Sequence, residues 1–114
     1  MRLGHGEYTL VFKALSDETR LRVLLMLTGG ELCACQILEH FQITQPTLSY
    51  HMSMLCASGL VTGRRDGAWM RYSLNHERIT AVRELFDSIL SSPELTGGEP
   101  ACQCSDGSTT NCCE

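Results

Sequence analysis

Residues 31–59 read ELCACQILEHFQITQPTLSYHMSMLCASG, and this stretch decides the fold. Ala34, Ile37, Leu38 and Phe41 recur at helical spacing, which predicts a short helix from about Glu31 to His40. Thr44 carries a hydroxyl suited to capping a further helix. Pro46 falls in that helix's first turn, where its missing N–H costs nothing, and Gly59 supplies a left-handed stop. Two helices joined by so short a turn form a helix-turn-helix candidate.

On the longer of the two, Leu48, Met52 and Leu55 fall within about 60° of one direction when each residue advances 100°. The opposite face presents Pro46, Thr47, Tyr50, Ser53 and Met54, with Ser49 and His51 on its flanks. Hydroxyl, amide and imidazole groups can meet phosphates or base edges, and a helix N-terminus adds its own amides. Gln45, Thr47, Ser49, Tyr50, His51 and Ser53 are therefore the candidate DNA contacts on this helix. A merely solvated polar face is the alternative.

The neighbouring segment favours DNA. From Leu60 to Leu74 the residues turn β-favouring, around Arg64-Arg65-Asp66-Gly67. Asp-Gly between such runs signals a hairpin whose two central residues take positive φ. This predicts a wing in which Arg64 and Arg65 grip the DNA backbone while the helix enters the major groove. The reading helix has no Lys or Arg, the usual bidentate partners of guanine, so affinity per site should be modest. A homodimer on a dyad-symmetric operator of double-stranded DNA would compensate.

Upstream, Tyr8, Val11, Phe12 and Leu15 mark one face of a first helix. Ser16 can cap a second, with Asp17 and Glu18 in its first turn, Leu21, Leu24 and Leu25 facing inward, and Gly29-Gly30 ending it. Downstream, a last helix from about His76 to Leu90 carries Ile79, Val82, Leu85, Phe86, Ile89 and Leu90, a stripe wide enough to suggest a dimer interface. The fold class expected is mainly α with a small β-hairpin, a homodimeric winged helix-turn-helix. Residues 1–90 form the DNA-binding and dimerisation domain. Residues 91–114, rich in Ser, Gly, Pro and Cys, read as a flexible tail.

A chain of 114 residues gains from a partner subunit, because so small a core leaves little surplus stability. No run approaches the roughly 18 apolar residues of a membrane span, and the N-terminus lacks an apolar signal segment, so the expected location is cytoplasmic. The net charge of −4 argues at first against nucleic acid. Its distribution does not. From Phe41 to Tyr72 the chain carries Arg64, Arg65 and Arg71 against Asp66 alone, a local +2.

The seven cysteines fall as Cys33-x-Cys35, Cys56, Cys102-x-Cys104 and Cys112-Cys113. In a reducing compartment such clusters bind metals or sense redox state more often than they staple a fold. Two residues apart in a regular helix, Cys33 and Cys35 would project about 200° from each other, so gripping one ion together would require the first turn to unwind. That turn belongs to the support helix of the reading pair, which gives a route from ligand to DNA release. Two small half-buried residues are the bland alternative. Sulfur-rich donors favour soft, thiophilic ions, and a structural zinc would need four well-spread ligands. His5, His40 and His76 carry little weight as ligands, and Trp69 reads as wing packing.

The run from Gly30 to Phe41, the following Ile43 to His51, Leu15 to Leu21 upstream, and Ser58-Gly59-Leu60-Val61 with Arg64 to Trp69 downstream resemble the arsenical-resistance repressors of the ArsR family. The resemblance spans about Leu10 to Asn75, and Glu31-Leu32-Cys33-x-Cys35 is its most specific part. It implies a dimeric winged-helix repressor relieved by As(III) or Sb(III) as inducer, with Cys33 and Cys35 as ligands and no organic cofactor. Some members have a third cysteine where this chain has Leu38. A third donor would come from Cys102, Cys104, Cys112 or Cys113, or from Cys56, ranked lower. The tail could instead form its own site or simply scavenge metal. The competing expectations are a repressor sensing cadmium, lead, bismuth or zinc, and one sensing oxidation. An enzyme is disfavoured, since no Cys-x-x-Cys accompanies a strand-helix-strand pattern and no acid-base pair lies near any cysteine in sequence.

Overall fold

The computed structural model describes residues 3–91, and Cys102, Cys104, Cys112 and Cys113 lie outside the described residues. Helices α1 (His5–Leu15) and α2 (Glu18–Met26) lead through a 3-10 turn (Leu27–Gly29) to a two-residue strand β1 (Leu32–Cys33) and helix α3 (Ala34–Leu38). Helix α4 (Gln45–Ala57), strands β2 (Val61–Asp66) and β3 (Trp69–Leu74) and helix α5 (His76–Ser91) follow. One unit runs through Glu84. The next begins at Leu85, and its described part is the end of α5.

Local chemistry sets most boundaries. The Thr44 hydroxyl accepts from the Thr47 amide, Pro46 sits in the first turn of α4, and Gly59 stands at φ 83° just past its end. A Cβ at Gly59 would also fall 2.7 Å from the Arg78 guanidinium. At α2 the cap is Asp17, which accepts from the Arg20 amide at 3.1 Å, whereas the Ser16 hydroxyl turns back to the Lys13 carbonyl. The expected Ser16 cap is thus displaced by one residue: the carboxylate is a stronger acceptor and favours the positive end of the helix dipole.

The core joins Val11 and Ala14 of α1, Val23 and Leu27, Ile37 of α3, Leu48, Met52 and Leu55 of α4, and Leu60, Val61 and Tyr72. Burying each large apolar side chain contributes roughly 1.5–3 kcal/mol, so this set supplies most of the drive to fold. The buried face of α2 differs from expectation. Leu21 and Leu25 are exposed and Leu24 half-buried, while Arg20 and Val23 are buried, with Leu27 just beyond. The i, i+3, i+7 stripe through Arg20 carries the packing, because that arginine finds hydrogen-bond partners inside.

The hairpin forms with Asp66 paired to Trp69, so Gly67 and Ala68 are its turn residues. Gly67 has φ 64°, and among the described residues no non-glycine residue has positive φ. Asp66 therefore ends strand β2 instead of occupying a positive-φ turn position, and its carboxylate accepts from Arg71 Nε at 2.8 Å. The sheet has three strands in the order β1-β3-β2, both pairings antiparallel. Strand β1 was not expected. It pairs Leu32 with Tyr72 and Cys33 with Arg71, and this long-range pairing delays the start of α3 from Glu31 to Ala34.

Candidate nucleic-acid interface and thiol site

Helix α4 turns Leu48, Met52 and Leu55 into the core, which leaves Gln45, Pro46, Thr47, Ser49, Tyr50 and Ser53 exposed. Tyr50 is the most prominent of these, an exposed ring tilted 58° to that of His51. The Ser53 hydroxyl donates to the Tyr50 carbonyl at 3.0 Å, but its oxygen still faces solvent as an acceptor.

His51 stands apart. Its side chain is only 13 % exposed, Nδ1 lies 3.1 Å from Arg20 Nη1 and 3.9 Å from the Asp17 carboxylate. A guanidinium can only donate, so Nδ1 accepts and carries no proton in this arrangement. Arg20 also donates from Nε to the Ala14 carbonyl at 2.7 Å, and from Nη2 toward the Lys13 carbonyl. One buried arginine thereby ties the end of α1, the start of α2 and the middle of α4. The amide of Arg20, and behind it the Arg20 guanidinium, hold the Asp17 carboxyl below its usual range against the opposing effect of burial. Sequence reading missed this clamp, though Arg20 shares a stripe with Val23 and Leu27, the one charge on an otherwise apolar row.

On the wing, both Arg64 and Arg65 are exposed. Arg64 Nη2 donates to both oxygens of Glu31, at 2.9 and 3.1 Å. Glu31 is two residues before Cys33, so the wing arginine is latched beside the thiol site.

That site differs from the expected helical geometry. Cys33 has extended backbone (φ −82°, ψ 154°) and is the N-cap of α3. Its sulfur accepts from the Cys35 amide at 3.3 Å, and the Gln36 side chain reaches back to the Cys33 amide at 2.8 Å. With Cys33 outside the helix, the two side chains converge instead of diverging, and they are joined as a disulfide across a Cα–Cα distance of 5.3 Å. No unwinding of α3 is required for both sulfurs to reach one atom. Cys33 is buried, whereas Cys35 is partly exposed and opens onto a cleft between α3, α4 and the hairpin. Trp69, expected as wing packing, is 52 % exposed and lines the same cleft.

Cys56, on the last turns of α4, is half-buried, and burial pushes its thiol up, away from the thiolate that binds soft ions. No group of three or more His, Cys, Asp or Glu side chains able to hold a metal ion occurs among the described residues. His40 places Nδ1 3.1 Å from the Gln36 carbonyl. No helix among the described residues is long and apolar enough to cross a membrane.

Residues 17–62 match the model of the bacterial regulatory protein, arsR family. The chain is 40% identical to the arsenical resistance operon repressor of Staphylococcus xylosus over 110 residues, covering 96% of this chain and all of that one. It is 44% identical to the protein of the same name from Staphylococcus aureus, over 79% of this chain and 86% of that one. Among solved structures it is similar to a homodimeric winged helix-turn-helix DNA-binding domain from Mycobacterium bovis, a possible ArsR-family regulator, with a TM-score of 0.60 and 27% identity. That match covers 75% of this chain and 82% of the other.

Proposed function

Because the chain belongs to the arsR family of bacterial regulatory proteins and folds as a winged helix-turn-helix, we propose that it represses an arsenic-resistance operon and releases its operator when As(III) or Sb(III) binds Cys33 and Cys35. The observation that carries this reading is the convergence of those two sulfurs at a residue that is at once the cap of α3 and the partner of wing residue Arg71.

The chemistry follows from the donor set. Once a thiol or phosphine reductant has opened the Cys33–Cys35 disulfide, the two thiols condense with a trivalent arsenic hydroxide, forming two As–S bonds and releasing two waters, with no change in the oxidation state of arsenic. A ligand bonded to both sulfurs must fit the short span between them, and β1 and the first turn of α3 adjust to it. Two things hang on those residues. Strand β1 carries the edge of the wing sheet, and α3 supports α4 through Ile37 in the core. A change there shifts wing and reading helix against each other, so inducer and DNA compete through one element with two arrangements. The coupling needed is modest: 1–3 kcal/mol corresponds to about 5–150-fold in affinity.

In this reading Gln45, Thr47, Ser49, Tyr50 and Ser53 meet the major groove while Arg65, with Arg64 once freed from Glu31, meets phosphate. His51 acts by fixing the helix through Arg20 instead of touching bases. A homodimer, formed through the apolar residues of α5, spans two half-sites in the cytoplasm. Cys102 and Cys104 remain candidate donors for a third As–S bond.

Fluorescence anisotropy with the protein's own promoter DNA tests the proposal, in excess reductant, titrated separately with arsenite, cadmium and zinc. Release at low arsenite, abolished by Cys33→Ser or Cys35→Ser, is the expected result. Inducibility persisting in the Cys33→Ser/Cys35→Ser double variant would overturn the site. A second reading, favoured by the paired state of the two sulfurs, is that an oxidant such as a peroxide closes the pair and accepts its two electrons. In that case reductant alone would restore DNA binding, and arsenite would not act.

A further inference from the structure

The cleft between α3, α4 and the hairpin has a volume of about 520 Å³, and its lining includes Gln45 and Ser49 of the reading helix, Arg65 and Trp69 of the wing, and Cys35 and Glu39 beside α3. Gln45, Ser49, Arg65 and Trp69 are all exposed. The wing arginines differ from one another. Arg64 pairs with Glu31 and Arg71 with Asp66, whereas Arg65 makes no ion pair among the described residues, so the cleft holds a cation ready to take an anion. Gln45 is also the first residue of the 13-residue helix α4, whose positive dipole end adds to that preference. Cys33 is buried and Cys35 is partly exposed, so Cys35 is the member of the sulfur pair that solvent reaches.

With α4 in the major groove and the wing on the backbone beside it, the space between the two is where a strand of the duplex runs. We infer that this cleft is itself part of the DNA interface: the sugar-phosphate backbone of one strand lies in its mouth, a phosphate held by Arg65, Ser49 and Gln45 and a deoxyribose packed on the Trp69 ring, and the seated strand covers Cys35. The mixed lining suits an occupant that is charged at its phosphate and apolar along its sugar. Glu39 opposes an anion, which places the phosphate toward α4 and the wing. The inference rests on the DNA-binding reading proposed above and adds an order of events. Operator and thiol-seeking ligand exclude each other from the cleft, so an inducer captures the chain after it has left DNA. The speed of release is then set by DNA dissociation and not by inducer concentration.

The test treats the full-length chain, its Cys33–Cys35 disulfide opened with a phosphine, with iodoacetamide, both free and saturated with promoter DNA, and follows alkylation of each cysteine by peptide mass spectrometry. Cys35 should react at least about tenfold more slowly with DNA bound, while Cys56, which does not line the cleft, changes by less than about twofold. Trp69 is the chain's one tryptophan, and its emission should shift as promoter DNA is added. Trp69→Ala should weaken operator binding about fivefold without altering the salt dependence, whereas Arg65→Ala should lower the slope of log K against log salt by about one. Arsenite should release labelled promoter at the rate of exchange against unlabelled promoter, within about twofold, at every arsenite concentration. Equal reactivity of Cys35 in the free and bound chains would overturn the inference, as would parental affinity in Trp69→Ala or a release rate that climbs with arsenite. Failure of the inducer site looks different: arsenite would then release DNA from the Cys33→Ser/Cys35→Ser chain as it does from the parent, with the protection of Cys35 in the parent unchanged.

Discussion

Helix α4 is held differently on its two sides. Toward α1 and α2 it is fixed by Arg20, buried and hydrogen-bonded to His51 and to the Ala14 carbonyl. On the other side α4 meets α3 and the wing through apolar packing, and the polar ties that join α3 to the wing are slighter: a two-residue strand, a cysteine cap, and the exposed Glu31–Arg64 pair. Buried charged groups with good partners are costly to disturb, whereas exposed ion pairs contribute about 0–1 kcal/mol. The difference teaches where a ligand of modest binding energy can act. It cannot move the clamp, but it can move the cysteine turn.

Breaking the clamp should give the largest effect. Arg20→Ala strands the Ala14 carbonyl and empties a buried volume, and a loss of about 2–4 kcal/mol is expected in denaturant unfolding. A loss below about 1 kcal/mol would show the two sides to be equally soft. Next comes the turn itself. Cys33→Ser keeps a capping oxygen, so stability should change by about 1 kcal/mol or less while the 1–3 kcal/mol of inducer coupling disappears from the anisotropy titration.

Asp17 sharpens the comparison from the clamp side. Its carboxyl is depressed in the folded state, so its contribution is present above the unfolded value of 3.8 and is lost as pH falls through and below it. Asp17→Ala should cost about 1 kcal/mol at neutral pH through the lost cap, and the gap in Tm between variant and parent should narrow toward pH 3. Being partly exposed, Asp17 responds to solvent screening, which limits the size of the effect. The smallest change belongs to the latch. Glu31→Gln should alter stability by less than about 0.5 kcal/mol but strengthen operator binding at low salt, as Arg64 is released toward phosphate. Weakened binding would mean that the pair instead props the wing in its DNA-competent position.

What the sequence disclosed and what it hid divide along the same line. The α4 boundaries, its buried triad Leu48, Met52 and Leu55, and the hairpin were legible because capping, periodicity and turn chemistry act within a few residues. Strand β1 was not, because its partners Tyr72 and Arg71 lie some forty positions away and two residues carry no period of their own. That omission placed Cys33 inside a helix and sent its side chain the wrong way. The helical position of His51 points to DNA, and nothing local signals that Arg20 claims its ring. The candidate contacts Thr47, Tyr50 and Ser53 were readable as a face, because a face needs only the helix and its buried side.

Cys33 serves as strand partner, helix cap and, in the function proposed, sulfur donor at once. In genetic terms the first two duties tolerate serine and the third does not, and a cysteine codon becomes a serine codon by one base change. If the proposed function holds, alleles that silence the operon permanently should therefore arise readily at this codon, as dominant, well-folded super-repressors, while alleles that lose repression will scatter across the core.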